Sequence, residues 1–153
     1  MNTLKQPAHR RRSRIGFWLA ALALPLATVS AETYLQSVNL NGYGDRNTLA
    51  HWNTNGTATP AGSTPASINP GDHFVSSSTG WTLRSPTGDS TFGGASLTLG
   101  GTHVLAARSA GTMTTVPNLI TRGSPYLRAS YGNTNLTVGN LDIQSGTLEI
   151  DGH

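Results

Sequence analysis

Ser96-Leu97-Thr98-Leu99, Asn118-Leu119-Ile120-Thr121 and Asn140-Leu141-Asp142-Ile143 are three versions of one short strand, set 22 residues apart. In the first, Leu97 and Leu99 alternate with Ser96 and Thr98. In the third, Leu141 and Ile143 alternate with Asn140 and Asp142. Such alternation puts apolar side chains on one face of a strand and polar ones on the other. The same interval links Leu83, Leu105 and Leu127, a column that Leu148 continues one residue early, as if the last turn had lost a residue. A third column pairs Thr115-Val116 with Thr137-Val138.

A repeat of roughly 20–29 residues carrying short strands is the size of one solenoid turn. Each strand then pairs with its counterpart in the next coil, aligned leucines stack inside, and Gly, Asn and Ser form the corners. The reading is therefore an all-β parallel solenoid with coils at 74–95, 96–117, 118–139 and 140–153. The last has only 14 residues and shows no cap. The chain thus reads as the N-terminal part of a longer protein, with an open C-terminal end through which it self-associates. An antiparallel sandwich with coincidental spacing is the competing architecture. Residues 32–73 differ in character. They hold Trp52, a Gly/Thr/Pro/Ser-rich run from Thr54 to Pro70, and Gly71-Asp72, and read as an N-terminal cap with a mobile loop.

The first 31 residues have the order of a secretory signal peptide. Lys5, Arg10, Arg11, Arg12 and Arg14 form a basic start, Ile15 to Ala27 is apolar, and Val29-Ser30-Ala31 offers the small residues that a signal peptidase reads. An uncleaved anchor is the alternative, but the apolar run is short for a bilayer span and Pro25 interrupts it. The arginine cluster leaves twin-arginine export open beside general secretion. Cleavage changes the charge. The chain carries 10 Lys plus Arg against 7 Asp plus Glu. Beyond Ala31 only Arg46, Arg84, Arg108, Arg122 and Arg128 remain against all seven acids, leaving a net −2. The basic balance belongs to the leader, and a nucleic-acid partner is not indicated. There is no cysteine, so no disulfide framework.

Further residues carry a resemblance. A Trp-containing segment is followed by Pro70-Gly71-Asp72, then Thr82-Leu83-Arg84-Ser85-Pro86. After these come Thr91-Phe92-Gly93-Gly94-Ala95-Ser96-Leu97-Thr98-Leu99 and Asn118-Leu119-Ile120. Over residues 32–153 this resembles the N-terminal part of bacterial surface proteins with autotransporter-associated β-strand repeats, many of which end in a PEP-type sorting signal. The resemblance implies a right-handed parallel β-helix and export to the cell surface, and it brings no catalytic residues. Neither a sorting tail nor a barrel domain is present in this sequence.

The chemistry-bearing residues are sparse. His9, His51, His73, His103 and His153 fall in no ligand spacing, so no metal site or cofactor is expected, and surface or corner positions suit each histidine. No Gly-x-Ser-x-Gly elbow or phosphate loop occurs. In the coil register Asp142 follows Ile120 and Thr98, so no acidic ladder forms, and Ala106 separates Arg84 from Arg128. No catalytic residue is assigned. Tyr43, Trp52 and Trp81 are candidates for stacking on a sugar ring, although Trp52 also suits a plug at the top of the coil. Two functions follow. One is an exported structural or adhesive surface solenoid that contacts polysaccharide or other surface components. The other is the N-terminal part of a carbohydrate-active β-helix enzyme or a carbohydrate-binding module.

Overall fold

The computed structural model describes residues 30–40, 45–59, 61–76, 79–107, 113–129 and 135–152. They form a parallel β-solenoid with three walls per coil. The first wall stacks β3 (His73–Ser76), β6 (Ser96–Gly101), the second half of β8 (Met113–Gly123) and the second half of β10 (Asn135–Gly146). The second wall stacks β4 (Thr82–Arg84), β7 (Val104–Ala107), β9 (Tyr126–Ala129) and β11 (Glu149–Gly152). The third wall is β5 (Ser90–Thr91) and the first halves of β8 and β10.

Burial along β8 shows why one strand serves two walls. Thr114 and Val116 point inward, Pro117 and Asn118 are both half-exposed, and Leu119 and Thr121 point inward again. Strict alternation would send Val116 and Leu119 to opposite faces. The broken phase is the corner at which the strand leaves one wall and starts the next.

The ladders follow the 22-residue register where the sequence places it. Leu97, Leu119 and Leu141 are consecutive rungs, with Phe74 above Leu97. Leu83, Leu105 and Leu127 are rungs of the second wall, and Val138 sits under Val116. The last step differs. Ile150, and not Leu148, pairs with Leu127, so the final turn has gained a residue instead of losing one. The register shifts between Ile143 and Ser145, which makes Gln144 the extra residue of a β-bulge. Leu148 lies before the strand and packs half-buried against the core.

The N-terminal cap belongs to the same sheet. β1 (Thr33–Gln36) pairs in parallel with β3, and the two-residue β2 (Trp52–Asn53) closes its other edge antiparallel. Trp52 is fully buried, meets Phe74 edge-on at 5.1 Å, and donates its indole N–H to the Arg46 carbonyl at 2.8 Å. Phe74 in turn meets Phe92 edge-on at 5.2 Å. Edge-to-face rings fill the wide end of a coil where a single leucine would leave a void.

Asparagine side chains knit the described residues of the Thr54–Pro70 run. The Asn53 side-chain oxygen accepts the Gly56 N–H at 2.6 Å and its amide donates to the Thr57 carbonyl at 2.8 Å. Asn55 Oδ1 accepts the N–H groups of Thr57 at 3.1 Å and Gly62 at 3.0 Å. Side-chain amides here satisfy backbone groups that neither helix nor sheet would pair.

Candidate functional site

The aromatic candidates do not form one platform. Trp52 is sealed inside the cap, so a sugar ring cannot stack on it. Trp81 stands half-exposed before β4, where its carbonyl accepts the Val104 N–H. Tyr43 lies outside the described residues. The physical reason is geometric: a solenoid needs a bulky apolar group over its first open coil, and Trp52 fills that position.

Two polar clusters lie inside the solenoid. Ser76 donates to Gln36 Oε1 in a short bond, and its hydroxyl lies 2.7 Å from His103 Nε2. Gln36 Nε2 donates to the carbonyls of Val38 at 2.6 Å and Thr82 at 3.3 Å. His103 lies at the corner between β6 and β7 but is fully buried there, which corrects the surface alternative only; His73 is exposed and His51 half-buried, while His9 and His153 lie outside the described residues. The Ser76–His103 contact has the geometry of a nucleophile and its base. Both residues have no solvent exposure, so no substrate reaches them and the cluster acts as a cross-link between the cap and two coils.

The second cluster centres on Arg46. Its guanidinium is buried against Phe92, with the ring centroid 5.9 Å away, and Nη2 donates to Ser90 Oγ at 3.2 Å. Nε and Nη1 have no hydrogen-bond partner. Burial pulls its pKa down to about 10, against the opposing pull of Asp45, so it stays charged at neutral pH. The side chain ties the cap to the third wall. Among the described residues, no group of three or more His, Cys, Asp or Glu could hold a metal ion.

The outer surface carries ladders of neutral amides and single charges. Asn140 donates to Asn118 at 2.8 Å, and Asn118 donates to the Ala95 carbonyl at 2.8 Å, so one side-chain chain spans three coils. Arg122 donates to Gln144 at 2.7 Å. Arg128 pairs with Asp151 at 3.1 Å, both half-exposed.

The remaining feature is the C-terminal end of the described solenoid. The first and second walls extend to the fourth coil, whereas the third wall stops at Asn135–Val138 of the third. The result is an open cavity of about 280 Å³ lined by Leu127, Leu136, Val138, Leu141, Leu148 and Ile150. Each ladder that is sealed inside the fold ends here in solvent: Leu119 is 1 % exposed and Leu141 46 %, while Leu127 is 4 % exposed and Ile150 73 %. Asp142 and Glu149 stand on the same end without an ion-pair partner among the described residues. This is an edge that offers backbone pairing and an apolar floor together. No protein-family model, curated protein or solved structure matches the chain.

Proposed function

We propose that this chain is an exported bacterial β-solenoid with a structural or adhesive role at the cell surface, of the kind carried by proteins with autotransporter-associated β-strand repeats. The observation that carries the structural part is the unbroken stacking of three walls through three coils. Each coil adds one strand spacing of roughly 4.8 Å along the axis, so the solenoid acts as a stiff spacer whose length scales with coil number. The outward amide ladders suit contact with polysaccharide hydroxyls, which need neutral donors and acceptors in rows. The observation behind export is the basic, apolar, small-residue order ending at Ala31, directly before Glu32, whose N–H donates to Asp72. The test is N-terminal sequencing of the protein recovered from the outside of an expressing bacterium. A start at Glu32 is expected, and a start at Met1 would overturn the reading.

The open end adds a proposal about partners. The solenoid self-associates there, because apolar ladders and unpaired strand edges are exposed on one face. Asp142 and Glu149 oppose this by like-charge repulsion, which salt screens over about 10 Å at 0.1 M. Sedimentation should therefore show association that grows with protein and salt concentration. Ile150→Asp should abolish it with little change in melting, since the residue is 73 % exposed. A monomer at high concentration and high salt would refute the proposal.

A further inference from the structure

Asp72 is a buried carboxylate without a cation. It is 2 % exposed, and no side-chain ion pair reaches it among the described residues. Its Oδ2 accepts the Asn69 amide at 3.0 Å and its Oδ1 accepts the backbone N–H of Glu32 at 3.1 Å. The grip on Glu32 is two-sided, because the next residue after Asp72 donates its N–H to the Glu32 carbonyl at 2.8 Å. Asp72 is itself fixed by its own N–H, which donates to the Asn69 carbonyl at 3.0 Å, and by its carbonyl, which accepts from Ala95 at 2.7 Å. A buried carboxylate is costly unless a positive group or several donors compensate it. Two neutral N–H donors are a meagre shell for an acceptor with about four lone-pair sites.

The residue held at Oδ1 is the first residue after the expected cleavage site. Hydrolysis of the Ala31–Glu32 bond by a signal peptidase consumes one water, leaves the carboxylate on Ala31 and leaves the amine on Glu32. That amine takes up a proton at neutral pH, and the single N–H facing Asp72 becomes an ammonium with three donors. We infer that Asp72 is a binding site for the chain's own α-ammonium group, completed only when the segment before Glu32 is removed. The inference rests on reading Ala31 as the end of the export signal. It also gives the site a purpose. Before cleavage the described residues offer Asp72 no counter-ion, and the precursor is the less stable form, which suits passage through a translocon. The processed chain supplies the counter-ion and locks β1 onto β3.

The experiment starts from the full chain, with the residues before Glu32 altered so that a site-specific protease frees Glu32 in vitro. Melting temperature is read before cleavage, after cleavage, and after N-acetylation of the freed amine. Cleavage should raise the melting temperature by at least about 3 °C, and acetylation should return it to the uncleaved value. The gain should also fade as pH rises above roughly 8, where a free α-amine loses its proton. Pairing raises the folded-state pKa, so the extra stability is full at lower pH and is lost on going through that raised value. The other titratable groups at this end are the Glu32 carboxylate, Tyr34 and His73, and acetylation leaves all three unchanged. Asp72→Asn should remove most of the gain; if that variant does not fold, the free-against-acetylated comparison on the unsubstituted chain decides alone. Equal melting of free and acetylated chains would overturn the inference. Failure of the export reading shows separately, as an exporting cell that leaves Met1 in place while the in vitro gain persists.

Discussion

Leu119→Asp leaves a chain with no cooperative melting transition, whereas Ser124→Asp melts within a few degrees of the unsubstituted protein. Leu119 is 1 % exposed and lies between Leu97 and Leu141 on the first wall. Burial of a leucine contributes about 1.5–3 kcal/mol. The aspartate loses that and places a carboxylate where its ladder neighbours Leu97 and Leu141 offer only carbon, at a further cost of several kcal/mol. A domain of this size has about 5–15 kcal/mol in all. Ser124 is exposed at a corner, where only its backbone N–H is used, donating to the Gly101 carbonyl at 2.7 Å. A surface change of that kind stays within about 0.5 kcal/mol. Circular dichroism melts on both variants make the check. If Leu119→Asp proves too poorly folded to purify, Leu119→Ala gives a graded reading, expected at about 2–5 kcal/mol. Equal stability for the two positions would mean that the coil register is wrong.

That register was legible because it is periodic. Leucines at a fixed interval, with polar neighbours alternating, announce a stacked column without any knowledge of the corners. The signal ends where the period breaks. Between Leu127 and the next coil, the sequence offers both Leu148 and Ile150 as rungs, and the nearer leucine is the more tempting. The choice is settled by a bulge at Gln144, and a bulge is a local backbone event with no composition signature of its own. The buried polar groups were illegible for a related reason. Gln36, Ser76 and His103 come from three separate segments and meet only in space, as do Arg46 and Ser90. Each occurs once, so no column flags it, and a lone histidine reads as a surface residue until its partners are known. The Ser76 position illustrates the point. It occupies the rung above Leu99, in a column that also holds the buried Thr121, and the cap brings Gln36 within reach of its hydroxyl. Trp52 was legible as a plug from its bulk and place in the chain. The residues that hold it, Arg46 and Phe74, were not.

Gly123→Ala should destabilise this fold by about 2–4 kcal/mol. Gly101, Gly123 and Gly146 are successive rungs at the corner after the first wall, and all three have positive φ. At Gly123 φ is +96°, a conformation that L side chains rarely adopt. An added Cβ would also lie 2.9 Å from the Gly101 N and O and 3.0 Å from its Cα. These are backbone atoms of the coil above, already fixed by the strand ladder, so they cannot move aside as a flexible side chain would. The two penalties can be separated. Gly88 has φ +84°, yet an added Cβ there meets nothing within 4 Å. Gly88→Ala therefore carries the conformational cost alone, about 1–2 kcal/mol, and the excess at Gly123 measures how tightly the coils stack at the corner. Denaturant melts of the two variants give the comparison. The difference should appear as a lower midpoint for Gly123→Ala at unchanged slope, because the unfolded chain exposes the same surface in both. Equal midpoints would show that the glycine column serves the backbone angle only, and that adjacent coils at this corner are farther apart than the ladder of paired strands requires.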